Sequence, residues 1–101
     1  MNNRSRIAIL AIEDEEILRN NIVSYLDDSG YEVSAASDGR TGLEMFRRHR
    51  PDLVLLDLRM PEIGGLEVLG QIRKESPNTP VIIVSGTGNI IDAIEAIHLG
   101  A

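Results

Sequence analysis

The stretch PDLVLLDLRMPEIGG, residues 51–65, contains the feature from which the fold and the site of this chain can be predicted. Its four apolar residues at 53–56 form a short, continuous run that ends on a carboxylate, Asp57. A Met-Pro pair at 60–61 and a Gly-Gly pair at 64–65 follow, and such residues are typical of loops and turns. An acid in this place either forms a turn and caps a helix or takes part in chemistry.

Apolar runs recur along the chain and alternate with segments of helical periodicity. The predicted strands cover 6–12, 31–37, 52–57 and 79–86, and the predicted helices cover 15–30, 38–50, 65–76 and 89–100. Unbroken apolar runs are typical of parallel strands that are buried between two layers of helices. We therefore expect an open α/β sheet with right-handed crossovers.

The least apolar strand segment, YEVSAAS at 31–37, is expected at an edge of the sheet. This predicts the strand order 2-1-3-4, which reverses between strands 1 and 3. Ligands of such sheets bind at the carboxyl ends of the strands beside the reversal. The helical spacing predicts that the following residues face the core: Leu18, Ile22 and Tyr25 or Leu26; Leu43 and Phe46; Leu66, Leu69 and Ile72; and Ile90 or Ile91, Ile94 and Ile97.

The composition indicates one globular domain and narrows the classes of partner. The chain has 101 residues, which is the size of a single domain, and only 3% of them are aromatic, so Ile, Leu and Val must form the core. The net charge of −6 argues against direct binding to nucleic acid, and the lack of Cys excludes disulfides and thiolate metal sites. The apolar run at 7–12 is too short for a signal peptide or a membrane span, so we expect a cytoplasmic protein without membrane contact.

Carboxylates and a hydroxyl are expected together at the carboxyl ends of strands 1, 3 and 4. Strand 1 leads into Glu13 and Asp14, strand 3 ends at Asp57, and strand 4 leads to Ser85. The one lysine, Lys74, is expected in solvent near the end of the third helix, where it cannot relieve their repulsion. Such a cluster either raises its own pKa values or holds a divalent cation, and its oxygen ligands favour Mg²⁺ or the similar hard ion Mn²⁺.

A carboxylate beside such a cation can act as a nucleophile toward phosphorus. In this interpretation Asp57 attacks the phosphoryl group, while the Ser85 hydroxyl and the N–H groups of its loop meet the remaining oxygens. Gly86 has no side chain and leaves room for the donor. Phosphoryl transfer depends mainly on positioning and charge neutralisation, and both are expected at this cluster.

The motifs IEDEE, LVLLDLRMPEIGGLEVL and VIIVSGTG, in this order, resemble the receiver domains of two-component response regulators. The resemblance implies a flavodoxin-like (CheY-like) fold, phosphorylation by a phosphohistidine on a sensor histidine kinase or phosphotransfer protein, slow self-catalysed dephosphorylation, and an output domain or target protein as a second partner. It further implies the following roles: phosphoacceptor for Asp57, direct metal ligand for Asp14, water-mediated metal ligand for Glu13, metal ligand through its backbone carbonyl for Arg59, and switch hydroxyl for Ser85.

The sequence departs from the family pattern at two places, and each departure has an expected consequence. Glu13 stands where Asp is common, which changes the reach of the side chain but not its charge. The family's fifth strand, with its Lys and aromatic switch residues, and its fifth helix are not found in the 101 residues, so 1–101 is expected to be one incomplete receiver domain, a fragment of a longer regulator. We expect weak or absent phosphorylation of this chain unless another molecule supplies the missing cation. We also expect an exposed edge at strand 4, which favours dimerisation, segment exchange or poor stability.

Other interpretations of the same residues remain open. Glu13 and Asp14 are also suited to cap the first helix, and Ser85 to cap the fourth. A stand-alone phosphatase would usually carry a second acid two residues after the nucleophile, where this chain has Arg59. The chain is therefore expected not to be an enzyme beyond its own phosphorylation by small donors and its dephosphorylation, and the alternative is an unphosphorylated interaction or dimerisation module. His49 and His98 are interpreted as surface residues.

Overall fold

The computed structural model describes residues 6–58, 60 and 64–84 of the chain. Strands and helices alternate within these residues, in the order β1 (Ala8–Ile12), α1 (Glu16–Asp28), β2 (Glu32–Ala36), α2 (Gly39–His49), β3 (Leu53–Asp57), α3 (Gly65–Glu75) and β4 (Val81–Val84). The observed strands β1, β2 and β3 are shorter than their predicted segments, and β4 begins at Val81, two residues later than predicted. The predicted fourth helix at 89–100 lies outside the described residues.

The described strands form one parallel sheet with the order β2-β1-β3-β4, as the sequence predicts. The register places Ile12 of β1 beside Ala36 of β2 on one side and Leu56 of β3 on the other. The least apolar strand, β2, lies at an edge, and the order reverses between β1 and β3. The flavodoxin-like α/β fold is thus confirmed for the four strands and three helices that the structure describes.

The central strand β1 contributes side chains to two separate cores, because successive residues of a strand point to opposite faces. Ile9 and Ala11 pack in the layer that contains α1, whereas Leu10 and Ile12 pack in the layer that contains α2 and α3. All four side chains are almost fully buried. Burial on both faces explains why the strand sequence is apolar without interruption.

Local sequence signals account for the position where α1 ends and the position where α2 begins. At the end of α1, Gly30 adopts a φ of 96°, a left-handed conformation that glycine accepts at low cost. The Arg6 side chain donates to the carbonyl oxygens of Gly30 and Tyr31 just beyond it, at 3.4 and 2.9 Å. At the start of α2, the Asp38 side chain accepts a hydrogen bond of 2.7 Å from the Thr41 N–H.

The buried face of α3 differs from the prediction. Val68 and Ile72 are fully buried, but Leu66 is 71% exposed, so its assignment to the core is wrong. At about 100° per residue, Leu66 lies about 120° around the helix from Ile72. The face that packs on the sheet is therefore set by the four-residue spacing of Val68 and Ile72, and Leu69 packs at its margin.

The edge strand β4 pairs with β3 and, within the described part of the chain, with no other strand. Its residue Ile83 is 40% exposed. Dimerisation or segment exchange through this edge stays a prediction.

Candidate functional site

The fold brings three acidic side chains to the carboxyl end of the two central strands. Ile12 and Leu56 are neighbours across β1 and β3, so the residues that follow them, Glu13 and Asp57, meet at the same edge of the sheet. Glu13, Asp14 and Asp57 each place a carboxylate oxygen within 4.8 Å of the others. The predicted convergence of these acids is therefore present.

The three acids differ in their contact with solvent. Glu13 is 3% exposed and Asp57 is 5% exposed, although both carry ionisable groups, whereas Asp14 is exposed. Buried carboxylates are uncommon unless they are paired or bind a cation, because the charged form is costly to remove from water. The cluster thus combines two buried acids with one that faces solvent.

Glu13 shows the consequences of this burial most clearly. Its Oε2 accepts a hydrogen bond of 3.0 Å from the Glu15 N–H, but its buried Oε1 has no hydrogen-bond partner within the described residues. Burial is the main cause that raises the pKa of Glu13 from 4.5 to about 7. The hydrogen bond from the Glu15 N–H opposes this shift, and the neighbouring Asp57 and Asp14 carboxylates contribute to it. A positive charge at Oε1 would reverse these effects.

The loop between β1 and α1, residues 13–15, is held by hydrogen bonds on two sides. The Glu13 N–H donates to the Ala36 carbonyl at 3.0 Å, which ties the loop to β2. From α1, the Arg19 side chain donates through Nη1 to the carbonyl oxygens of Glu13 at 3.0 Å and Asp14 at 3.4 Å. Arg19 is absent from the site residues that the sequence predicts. Its only signal in the sequence is a cationic side chain one helical turn after Glu15.

The loop that follows Asp57 is packed closely against the start of α3. The Gly65 N–H donates to the Leu58 carbonyl at 3.2 Å, and a Cβ atom at Gly65 would lie 2.4 Å from the Leu58 Cα. Met60 is buried beside the core layer of α2 and α3. The lack of space for a Cβ atom explains why a glycine stands at position 65.

The donor set of the cluster fits a hard divalent cation such as Mg²⁺ or Mn²⁺. All three side chains offer carboxylate oxygens, which these ions prefer, and the partnerless Glu13 Oε1 is a buried acceptor that a cation would satisfy. The three predicted site residues Arg59, Ser85 and Gly86 lie outside the described residues. Lys74 is exposed, as predicted.

His49 and the lengths of the helices are also subjects of prediction. His49 is exposed at the last position of α2, in agreement with its interpretation as a surface residue, and His98 lies outside the described residues. None of the described helices has the length and apolar character needed to cross a membrane.

Comparison with protein families finds a match to the response regulator receiver domain over residues 9–101. A probable transcriptional regulator, ycf27, from Galdieria sulphuraria is 41% identical over 100 residues, which is 99% of this chain and 39% of that protein. The regulatory protein AtoC from Escherichia coli is 37% identical over 93 residues, which is 92% of this chain and 20% of that protein. The chain thus spans well under half of either relative.

This chain aligns with a larger share of two solved structures of similar fold. The chemotaxis protein CheY4 from Vibrio cholerae has a TM-score of 0.79 and 29% identity, covering 96% of this chain and 82% of CheY4. A response regulator receiver domain protein from Clostridium thermocellum has a TM-score of 0.76 and 37% identity, covering 94% and 77% of the two chains. Both structures belong to proteins of at least 29% identity to this chain, and both alignments cover more than nine-tenths of it.

Proposed function

The chain belongs to the response regulator receiver domains, and from this premise we propose that it is a phosphorylation-dependent signalling switch with Asp57 as phosphoacceptor. Phosphorylation and magnesium binding are typical of the family, whose members are regulatory signalling domains rather than enzymes in the usual sense. The observation that carries the proposal is the approach of the Glu13, Asp14 and Asp57 carboxylates to within 4.8 Å of one another.

The proposed donor is a phosphohistidine on a sensor histidine kinase or a phosphotransfer protein. A carboxylate oxygen of Asp57 forms a bond to phosphorus, and the bond between phosphorus and the imidazole nitrogen breaks. The electron pair of the broken bond stays on the imidazole, which takes up a proton from solvent. The product is an aspartyl phosphate, and its hydrolysis by water resets the switch.

Each acid has a distinct part in this proposal. Glu13, Asp14 and Asp57 would hold the cation together, and the backbone carbonyl of Arg59 is proposed as a further ligand from the resemblance alone. When bound, Mg²⁺ or Mn²⁺ supplies positive charge that offsets the repulsion between the carboxylates and the phosphoryl oxygens.

The remaining phosphoryl oxygens need donors from the chain itself. Ser85 is proposed as the hydroxyl that moves toward the phosphoryl group, and Gly86 as the residue that leaves room for the donor. The phosphorylated surface is proposed to act on an output domain or a target protein.

A stand-alone phosphatase is less well supported. In that class a second acid commonly lies two residues after the nucleophile, where it protonates the leaving group, and this chain has Arg59 there. We therefore limit the proposed chemistry to self-phosphorylation by small donors such as acetyl phosphate and to autodephosphorylation.

A second candidate function is an interaction or dimerisation module that works without phosphate. The partly exposed Ile83 on the edge strand β4 favours it, because an apolar sheet edge can pair with another chain. Partner binding that is equally strong in wild type and Asp57→Asn would support this function over the switch.

The proposed function is tested by incubating the chain with Mg²⁺ and acetyl phosphate and measuring its intact mass. We expect at most a small fraction of wild type to gain the mass of one phosphoryl group, and none of Asp57→Asn to gain it. Asp52→Asn is a matched control, because Asp52 lies at the opposite end of β3, where it accepts a hydrogen bond of 2.8 Å from the Ala8 N–H. Phosphate on Asp57→Asn would contradict the assignment, and the extent in wild type measures how weak the reaction is.

A further inference from the structure

The loop that carries Glu13 and Asp14 depends on few contacts for its shape. On the β2 side it is held by the hydrogen bond from the Glu13 N–H to the Ala36 carbonyl. On the other side, the Arg19 guanidinium is the only described side chain that donates to the loop's carbonyl oxygens. The shape of this short loop decides how far the two carboxylates lie from Asp57.

Arg19 lies in the first turn of α1, and the helix therefore fixes the position of its backbone. Its N–H donates to the Glu15 carbonyl at 2.9 Å as part of the helix. From there the side chain turns back toward the start of α1, and a single nitrogen, Nη1, contacts both the Glu13 and the Asp14 carbonyl oxygens. One rigid guanidinium therefore spans the two consecutive residues that supply acids to the cluster.

The contacts of Arg19 are with the backbone of the acids and not with their carboxylates. Within the described residues, neither of the ion pairs involves Arg19; these are Arg6 with Asp27 and Arg47 with Glu75. Arg19 thus leaves the carboxylate oxygens of Glu13 and Asp14 available to a cation. Groups that hydrogen-bond to metal ligands orient those ligands, and their loss weakens metal binding. A side chain that fixes the ligands through their backbone is expected to act in the same way.

We propose that Arg19 is a positioning residue for the cation site, which holds the Glu13 and Asp14 carboxylates in place through their backbone carbonyls. This inference rests on the proposed function, since it concerns the same acidic cluster. The competing explanation is that Arg19 only stabilises the start of α1, in which case its removal would lower the stability of the fold and leave the metal affinity of the folded chain unchanged.

The test measures Mg²⁺ binding by isothermal titration calorimetry, with the metal alone as the probe, well below the melting temperature of each variant. Arg19→Gln keeps N–H donors but lacks the charge and the reach of a guanidinium. We expect its Mg²⁺ dissociation constant to rise by about 10-fold or more, in the range found for outer partners of metal ligands. Arg19→Lys keeps the charge and is expected to recover part of the loss.

Arg73→Gln is the matched control. Arg73 also donates from Nη1 to a backbone carbonyl, that of Thr79 at 2.6 Å, but it lies in the last turn of α3, before the turn that leads to β4. We expect Arg73→Gln to lower the melting temperature and to leave Mg²⁺ affinity unchanged. Amide hydrogen exchange at residues 13–15 is expected to be faster in Arg19→Gln and unchanged in Arg73→Gln.

The outcomes separate this inference from the proposed function. If wild type binds Mg²⁺ and both Arg19 variants bind it equally well, the positioning role is refuted and the cation site stands. If wild type binds no Mg²⁺, the cation site fails and the positioning role fails with it. Should Arg19→Gln not fold, the dissociation constant of Arg19→Lys decides, and a value equal to that of wild type refutes the role.

Discussion

Replacement of Gly65 by alanine is expected to destabilise the chain and to disturb the loop that follows Asp57. Gly65 is the first residue of α3, and a Cβ atom there would lie 2.4 Å from the Leu58 Cα and 2.6 Å from the Asp57 carbonyl oxygen. Both neighbours are backbone atoms, which cannot rotate away as a flexible side chain can. Relief of the clash therefore requires the start of α3 to move away from the loop.

The size of the effect follows from two opposing contributions. Forcing an extra carbon into a packed site costs about 1–3 kcal/mol. Alanine is favoured over glycine by up to about 1 kcal/mol in a helix interior, and by less at its first residue. We expect Gly65→Ala to lose about 1–2 kcal/mol of unfolding free energy, which lowers the melting temperature of a domain of this size by roughly 5–15 °C.

Gly70→Ala is the matched control for this prediction, because the same substitution is made in the same helix. Gly70 is exposed, and no atom lies within 4 Å of the position its Cβ would take. We expect this variant to gain about 0.5–1 kcal/mol, since alanine loses less backbone entropy than glycine on folding. The two variants should therefore move to opposite sides of wild type.

Urea unfolding followed by circular dichroism measures both variants, and calorimetry measures their Mg²⁺ affinity. We expect Gly65→Ala to bind Mg²⁺ more weakly than Gly70→Ala, because the clash lies next to Asp57. If Gly65→Ala unfolds at the same urea concentration as Gly70→Ala, or at a higher one, a Cβ atom at position 65 does not clash with the loop.

Three other predictions address the buried acid, a helix cap and the sheet edge. The folded-state pKa of Glu13, about 7, lies above its ordinary value of 4.5, so its contribution to stability is fully present below about pH 4.5 and is lost as the pH rises through about 7. Because water reaches part of the site, we expect the free energy of unfolding of metal-free wild type to fall by about 1–2 kcal/mol between about pH 5 and pH 8, and excess Mg²⁺ to restore most of it. In urea unfolding, Glu13→Gln should lack this dependence on pH, and an equal dependence would contradict the assignment to Glu13. Asp38→Ala removes the acceptor for the Thr41 N–H and should cost about 1 kcal/mol in the same assay, whereas an unchanged midpoint would argue against the cap. Ile83→Lys should weaken any self-association through β4 in sedimentation velocity experiments, and association that persists would place the contact elsewhere.

The strand order and the meeting of the acids could be predicted because both follow from patterns that burial imposes. A strand covered on both faces is typically apolar throughout, so the more polar YEVSAAS segment is expected at an edge, where the structure places it. Once β1 and β3 are neighbours, Asp14 and Asp57 follow at the same end of the sheet. These predictions need only the apolar runs of the individual strands. The strand order then determines which strand ends are neighbours.

Other features of the site could not be predicted from local patterns. The exposure of Leu66 depends on which of two overlapping apolar spacings in α3 meets the sheet, and only packing decides between them. The contact of Arg19 with two carbonyl groups depends on the path of a long side chain, which sequence spacing does not determine. The unequal burial of Glu13 and Asp14 likewise arises from the way the loop turns over the end of β1.

That inequality gives the three acids different contact with dissolved ions. Asp14 faces water, whereas Glu13 and Asp57 are almost covered. A hydrated cation that met Asp14 first could give up its water molecules in steps, since the two covered carboxylates lie within 4.8 Å and could replace them. Capture of a cation would therefore begin at the acid whose charge costs the least to keep in solvent.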